Sequence, residues 1–179
     1  MERADVEAAR SGDARAFEAL IEREVDGVYR LALAITADEA DARDATQETL
    51  IAAWRQVRSL RDPTRFNVWL RRIAVNAARM TLRSRRRRGV REIPAAEVSL
   101  PYGEPTDDPI AARPDALILR AALRRLDPDR RGLLALHYLE GRSIAELSEI
   151  LEVPAGTVKS RLSAARSTLQ QALAVEDPR

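Results

Sequence analysis

Leu139 to Leu173 read LEGRSIAELSEILEVPAGTVKSRLSAARSTLQQAL, which describes two helices joined by a tight turn. Ser143 precedes Glu146 by three residues, the spacing of a capping box in which each side chain satisfies the other residue's free backbone N–H. A helix is therefore expected from about Ile144, with Ile144, Leu147 and Leu151 on its apolar face and Ile150 alongside. Glu152-Val153-Pro154 interrupts it, because proline disfavours helical geometry in the preceding residue and suits the first turn of the next helix. A second helix is expected from about Ala155, with Val158, Leu162, Ala165 and Leu169 as its buried stripe.

The opposite face of that second helix carries Thr157, Ser160, Ser163, Ala164 and Ser167, flanked by Lys159, Arg161 and Arg166. Small hydroxyl side chains let a helix approach base edges, and long cations on its shoulders reach the phosphates that fix its register in the major groove. An ordinary helical hairpin with solvated cations is the plainer alternative. The capped first helix, the short turn and the absence of acids from Pro154 to Ala174 favour a DNA-reading helix.

A chain of 179 residues is long enough for one domain or two small ones. It has no run of about 18 apolar residues, and MERADVEAAR lacks the pattern of a signal peptide, so a soluble cytoplasmic protein without membrane insertion is expected. Zero cysteines and a single histidine argue against disulfides, thiolate zinc and histidine clusters, and no cofactor is expected. The formal charge of +2 hides a strong segregation. Residues 1–62 hold 9 arginines and 14 acids, residues 63–91 hold 10 arginines and no acid, and residues 92–179 hold 11 basic and 14 acidic residues. A cationic block between acidic flanks fits a polyanion, nucleic acid first and an anionic membrane surface second.

From the N-terminus, a short helix should end near Ser11-Gly12, with Asp13 capping a longer one. Phe17, Leu20, Ile21, Val25, Val28, Leu31, Ala32 and Ile35 follow the helical period and are expected in the core. Thr36-Ala37-Asp38 breaks the pattern before a third helix from about Glu39 to Val57. Asp41, Asp44, Gln47, Glu48, Ile51 and Trp54 share one side of it. That side could be a solvated acidic face, a divalent-metal site on Asp41, Asp44 and Glu48, or a docking surface for a basic partner helix. Sequence physics alone favours the solvated face.

After the turn at Asp62-Pro63, the next helix should span Arg65 to about Arg88, with Phe66, Trp69, Leu70, Ile73, Ala77 and Met80 on its apolar side. Arg71, Arg72, Asn76, Arg79, Arg83 and Arg85 to Arg88 decorate the remainder. Trp69 is expected in the core. Beside this helix, Leu60 and Phe66 could wall a pocket for an unstacked base, with Arg61, Asp62 and Asn67 at its rim. From Gly89 to Asp115, five of the nine prolines and six acids against two arginines predict an extended, flexible linker. Beyond it, Leu117, Leu119, Leu123, Leu126, Leu133, Leu134 and Leu136 predict two more amphipathic helices around Asp127-Pro128, with His137 packed among them. No nucleophile-base pair, phosphate loop or acid pair emerges. The expected fold is all-α, with two small helical domains.

Together these segments resemble the extracytoplasmic-function sigma factors of bacterial RNA polymerase. DARDATQETLIAAWR (Asp41 to Arg55) is similar to that family's core-binding helix, and RFNVWLRRIAVN (Arg65 to Asn76) to its promoter-melting segment. LEGRSIAELSEILEVPAGTVKSRLSAAR (Leu139 to Arg166) is similar to its final helix-turn-helix. The resemblance implies a region 2-like domain over residues 1–88, a linker over 89–115 and a region 4-like domain over 116–175. It implies that Asp41, Asp44, Gln47, Glu48 and Ile51 dock on core polymerase. Leu60, Arg61, Asp62, Phe66, Asn67, Asn76, Arg79 and Arg83 would meet the minus-10 element, where one base of the opened strand is captured. Thr157, Lys159, Ser160, Arg161, Ser163, Ala164 and Arg166 would read the minus-35 duplex. Core polymerase, promoter DNA in both paired and single-stranded form, and an anti-sigma factor are the implied partners, and no bond chemistry falls to the chain itself. The rival functions are a free-standing helix-turn-helix regulator acting as a dimer and a metal-dependent nucleic-acid enzyme.

Overall fold

The computed structural model describes residues 3–87 and 114–176, and every regular element among them is helical. The N-terminal half comprises α1 (Arg3–Arg10), α2 (Ala14–Thr36), α3 (Glu39–Gln56) and α4 (Phe66–Arg87). Two short 3-10 turns, Val57–Ser59 and Pro63–Arg65, lead into α4. The C-terminal half comprises α5 (Pro114–Arg124), α6 (Pro128–Leu134), α7 (Ile144–Leu151) and α8 (Ala155–Glu176). Here α6 runs on into a π turn over Ala135–Leu139. The flexible linker expected over 89–115 lies outside the described residues, except that α5 already begins at Pro114.

Local chemistry sets the helix ends where the sequence placed them. The Asp13 carboxylate accepts from the backbone N–H groups of Arg15 and Ala16 to start α2. Asp38 does the same for Asp41 at the start of α3, and Asp127 for Arg130 at the start of α6. Ala37 ends α2 in the left-handed conformation at φ 55°, and its N–H returns to Leu33 O.

In the N-terminal half α2, α3 and α4 each pack on the other two, with α1 against α2. Their shared core holds Leu20, Val28, Leu31, Ile35, Val57, Phe66 and Leu70, all essentially sealed from solvent. The buried side of α3 is made of small residues, Ala42, Ala45, Thr46, Thr49 and Ala53. The two threonine hydroxyls there donate to carbonyls one turn back, at 2.8 and 2.6 Å, so neither is left unsatisfied. Small side chains bring α3 close to its neighbours and leave its large apolar residues, Ile51 and Trp54, on the outside.

In the C-terminal half α8 is the spine against which α5, α6 and α7 pack. Leu126, Leu136, Leu147, Ile150, Val158, Leu162 and Ala165 form its core. Leu117, expected there too, is 54% exposed, because α5 packs through Leu123 and Ala122 instead. His137 is half-buried as expected, its Nδ1 2.9 Å from Arg142 O. The halves touch through α6 on α2 and α7 on α4.

Candidate nucleic-acid interface

The helix-turn-helix forms as its residues require. Glu146 N–H donates to Ser143 Oγ at 3.2 Å, and Ser143 N–H donates to Glu146 Oε2 at 2.9 Å, so both halves of the capping box are present. The Ser143 N–H and the Ser143 hydroxyl, which donates to Glu146 Oε2 at 2.8 Å, hold the Glu146 carboxyl below its ordinary value. Glu152 ends α7 in the left-handed region at φ 55°, a conformation more usual for glycine. Ser148 Oγ donates to Val153 O at 2.6 Å, and Val153 N–H returns to Ser148 O, which holds that turn shut. Along α8, Val158, Leu162 and Ala165 are buried, while Lys159, Ser160, Arg161, Ser163, Ala164 and Arg166 are exposed and Thr157 is half-exposed. A small, polar, acid-free surface bordered by cations is therefore available to a phosphate backbone.

On α3 the expected row separates into two parts. Asp44, Gln47, Glu48 and Ile51 are exposed in a continuous strip that Trp54 extends. The Trp54 ring is tilted against Phe17 at a centroid distance of 5.0 Å and still has 42% of its residue surface in solvent. Its i+3 spacing from Ile51 marks it as a member of the same face. Asp41 stands apart, because its carboxylate meets Arg85 of α4 at 2.7 Å. The same guanidinium reaches Asp38 at 3.1 Å, and Asp38 is held below the ordinary carboxylate range by the Asp41 N–H and by Arg85. Asp41, Asp44 and Glu48 thus do not converge, and no group of three potential metal ligands assembles among the described residues.

The turn before α4 departs from its expected geometry. Leu60 is 6% exposed and Phe66 is fully buried, its ring 5.6 Å from the Trp69 ring, so neither lines an open pocket. Both belong to the core because the two 3-10 turns bring the segment against α1, the first also meeting α3 and the second α4. What the segment does present is exposed Arg61 and Asp62, with half-buried Asn67 behind them. Asp62 caps the second turn, accepting from Thr64 Oγ1 at 2.7 Å and Thr64 N–H at 2.9 Å, and these bonds lower its pKa. The Asn67 Oδ1 atom is buried without a hydrogen-bond partner.

Along α4, Asn76 and Arg83 are exposed, and Arg79 is half-buried with its Nε donating to Asp129 of the C-terminal half at 2.9 Å. Two residues exchange the places expected of them. Met80 is 64% exposed, whereas Arg71 is 4% exposed, gripped by Glu24 at 3.0 Å and Glu140 at 2.8 Å. Arg71 is buried because α2 and the end of the π turn close over it, and both bring a carboxylate. Trp69, 7% exposed, is in the core as expected.

With this geometry in hand, comparison with known proteins is specific. Residues 20–88 match the family model for Sigma-70 region 2, and residues 116–169 that for Sigma-70, region 4. The ECF RNA polymerase sigma-E factor of Haemophilus influenzae is 34% identical over 173 residues, covering 92% of this chain and 91% of that protein. The solved structure of CnrH in complex with the cytosolic domain of CnrY superposes with a TM-score of 0.70 at 28% identity, covering 98% of each chain. That of the sigma factor RpoE with the anti-sigma factor NepR from Bartonella quintana also gives 0.70, at 25% identity, covering 92% of this chain and 100% of that one. The two regions in order, on the two halves whose surfaces carry the exposed face of α3 and the open face of α8, place this chain in the extracytoplasmic-function group of the sigma-70 family.

Proposed function

We propose that the chain directs core RNA polymerase to its promoters by a division of labour between its halves. The exposed strip Asp44, Gln47, Glu48, Ile51 and Trp54 docks on the polymerase, acids forming a polar rim around an apolar centre. Asp41 acts one step removed, pairing with Arg85 to fix the end of α4 against the start of α3. Arg61, Asp62 and Asn67 engage the minus-10 strand once it leaves the duplex, and Asn76, Arg79 and Arg83 hold its backbone. Thr157, Lys159, Ser160, Arg161, Ser163, Ala164 and Arg166 contact the minus-35 duplex. Strand opening follows from binding the separated strand better than the paired one. Nucleotide addition belongs to the polymerase, and the chain acts in the cytoplasm where that enzyme works. No helix among the described residues is long and apolar enough to cross a membrane. One relative of the same fold was solved in complex with an anti-sigma factor and another in complex with the cytosolic domain of CnrY, and an anti-sigma factor is proposed as a partner here as well.

The observation that carries this assignment is the pairing of regions 2 and 4 on one chain. A free-standing dimeric regulator would need a sensor or dimerisation domain, and residues 20–88 are already occupied by region 2. Run-off transcription with purified core polymerase, with and without the chain, tests the assignment. Promoter-dependent product that requires the chain is expected; product that is indifferent to it would refute the proposal.

A further inference from the structure

Between the two 3-10 turns that lead into α4, the chain presents Arg61 and Asp62 to solvent. Turns this short have few hydrogen bonds of their own, here Leu60 N–H on Val57 O and Arg65 N–H on Asp62 O, both at 3.1 Å. Their shape has to come from what they lie against. Helix α3 packs on the first turn and α4 on the second, but each of those helices adjoins its turn in the chain and steadies it from one end. Helix α1 packs on both turns, although all of α2 and α3 intervenes in sequence.

The face that α1 turns inward is small. It consists of Val6 and Ala9, three residues apart on one side of the helix and both sealed from solvent. The elements α1 packs on are α2 and the two turns, and the first turn brings Val57 and Leu60 into the same core. Polar contacts fix α1 on this seat. Arg23 of α2 donates to Asp5 at 3.1 Å, and Asp13 N–H returns to Ala8 O at 3.1 Å, closing the connection into α2. In that connection Gly12 adopts φ 101°, and a Cβ there would come within 2.9 Å of the Arg58 guanidinium. Arg58, from the first 3-10 turn, therefore lies directly against the end of α1.

Helix α1 also places charge beside the turn. The Asp62 carboxylate, held below its ordinary value first by the Thr64 hydroxyl and N–H, is lowered further by the charges of Arg65 and of Arg3 on α1. The match to region 2 begins at residue 20, so that assignment does not by itself give α1 a task.

We propose that α1 is a brace that holds the segment before α4 in the shape that receives the unpaired minus-10 strand, with Val6 and Ala9 as positioning residues, and that base selectivity at the captured position depends on it. A turn already in its binding shape loses less freedom when the strand arrives. It also meets a wrong base with groups that cannot shift to suit it. A loosened turn adapts to any base and holds each one less well. This inference rests on the assignment of Arg61, Asp62 and Asn67 to the minus-10 strand, but the brace itself can be measured without DNA.

Hydrogen exchange of the full-length chain, read by mass spectrometry, tests the brace. Val6→Ala should raise exchange in peptides spanning residues 57–66 about tenfold. Val28→Ala, which truncates an equally sealed valine of α2, should leave those peptides near wild type at a comparable urea midpoint. Arg58→Ala removes only an exposed side chain from the contact at Gly12. It should raise exchange by a smaller factor, and it decides the matter if Val6→Ala fails to fold by circular dichroism.

Selectivity is read with core polymerase on a heteroduplex whose minus-10 strands are already unpaired, each non-template base of that element being replaced in turn. At the position where wild type discriminates most, the ratio of best to worst base should fall about tenfold in Val6→Ala and hold in Val28→Ala. Unchanged exchange in both Val6→Ala and Arg58→Ala would overturn the brace. Raised exchange with selectivity intact, or equal losses of selectivity in Val6→Ala and Val28→Ala, would overturn its part in base choice. A wild-type chain that supports no promoter-dependent product would overturn the functional assignment and with it the role in base choice, while the exchange result still decides the brace.

Discussion

Helices α4 and α8 are both 22 residues long, yet one is embedded and the other lies on the surface. Nine residues of α4 are buried against four of α8. On α8 a single stripe is covered, and everything outside it is free to bind. On α4 the neighbours α2, α3 and α7 cover most of the circumference, so a side chain's role depends on which of them it meets. A cation on a surface helix is a contact in waiting, whereas on an embedded helix a cation on a covered face, such as Arg71, is already committed.

The sharpest way to test this contrast is a face as open as that of α8 but on the N-terminal half. Asp44→Lys with Glu48→Lys on α3 should weaken association with core polymerase about a hundredfold or more, because like charges are then placed against a basic partner. Unfolding midpoints should stay near wild type, since both positions are exposed. Co-purification with core, read beside urea denaturation, checks both halves of the statement; retained association would remove the docking assignment.

The opposite outcome is expected where the chain is embedded. Phe66→Ala should destabilise the N-terminal half by about 3–5 kcal/mol, and Arg71→Met by about 3 kcal/mol, since it strands Glu24 and Glu140 in a partly buried site. Arg83→Ala, on the exposed side of the same helix, should change stability by no more than about 0.5 kcal/mol and act on promoter opening instead. If Phe66→Ala left stability intact and abolished only base capture, Phe66 would be a pocket wall after all.

The same contrast explains what could be read in the sequence. The turn-helix units are local, so Ser143, Glu146, Pro154 and the Val158 stripe specify α7 and α8 without reference to any tertiary contact. Asp13, Asp38 and Asp127 likewise marked their helix starts. Helical period could not tell that Arg71 would find two carboxylates from other elements and be buried, or that Met80 would face outward. Nor could it tell that α3 would bury alanines and threonines while exposing Ile51 and Trp54, because a stripe of small residues carries a weak hydrophobic signal. The helical period does put Phe66 on the apolar side of α4, where it is buried, but does not show the closing of the pocket expected between it and Leu60, since two consecutive 3-10 turns redirect the chain in a way no fixed period encodes.

On α8 itself single cations should have modest, separable effects. Lys159→Ala should weaken duplex binding by the assembled holoenzyme at all sequences alike and reduce the salt slope by about 1, as loss of one phosphate contact requires. A change confined to particular promoter sequences would instead make Lys159 a reader of bases.

The smallest effect expected is also the most local. Ser143→Ala removes the acceptor for the Glu146 N–H and should cost about 1 kcal/mol, whereas Glu146→Gln keeps the box but loses its charge at the helix start, about 0.5 kcal/mol. The pH dependence distinguishes the two. Hydrogen bonds from Ser143 hold the folded Glu146 pKa below its ordinary value of 4.5, so in that interval the unfolded chain binds more protons than the folded one and stability rises with pH. The carboxylate's share is therefore complete above the ordinary value and is lost as pH falls through the folded one. Urea titrations should show wild type and Glu146→Gln separated at neutral pH and converging in acid, while Ser143→Ala stays destabilised on both sides. A gap between wild type and Glu146→Gln that persists in acid would mean that packing, and not charge, is what Glu146 supplies to the first helix of the pair.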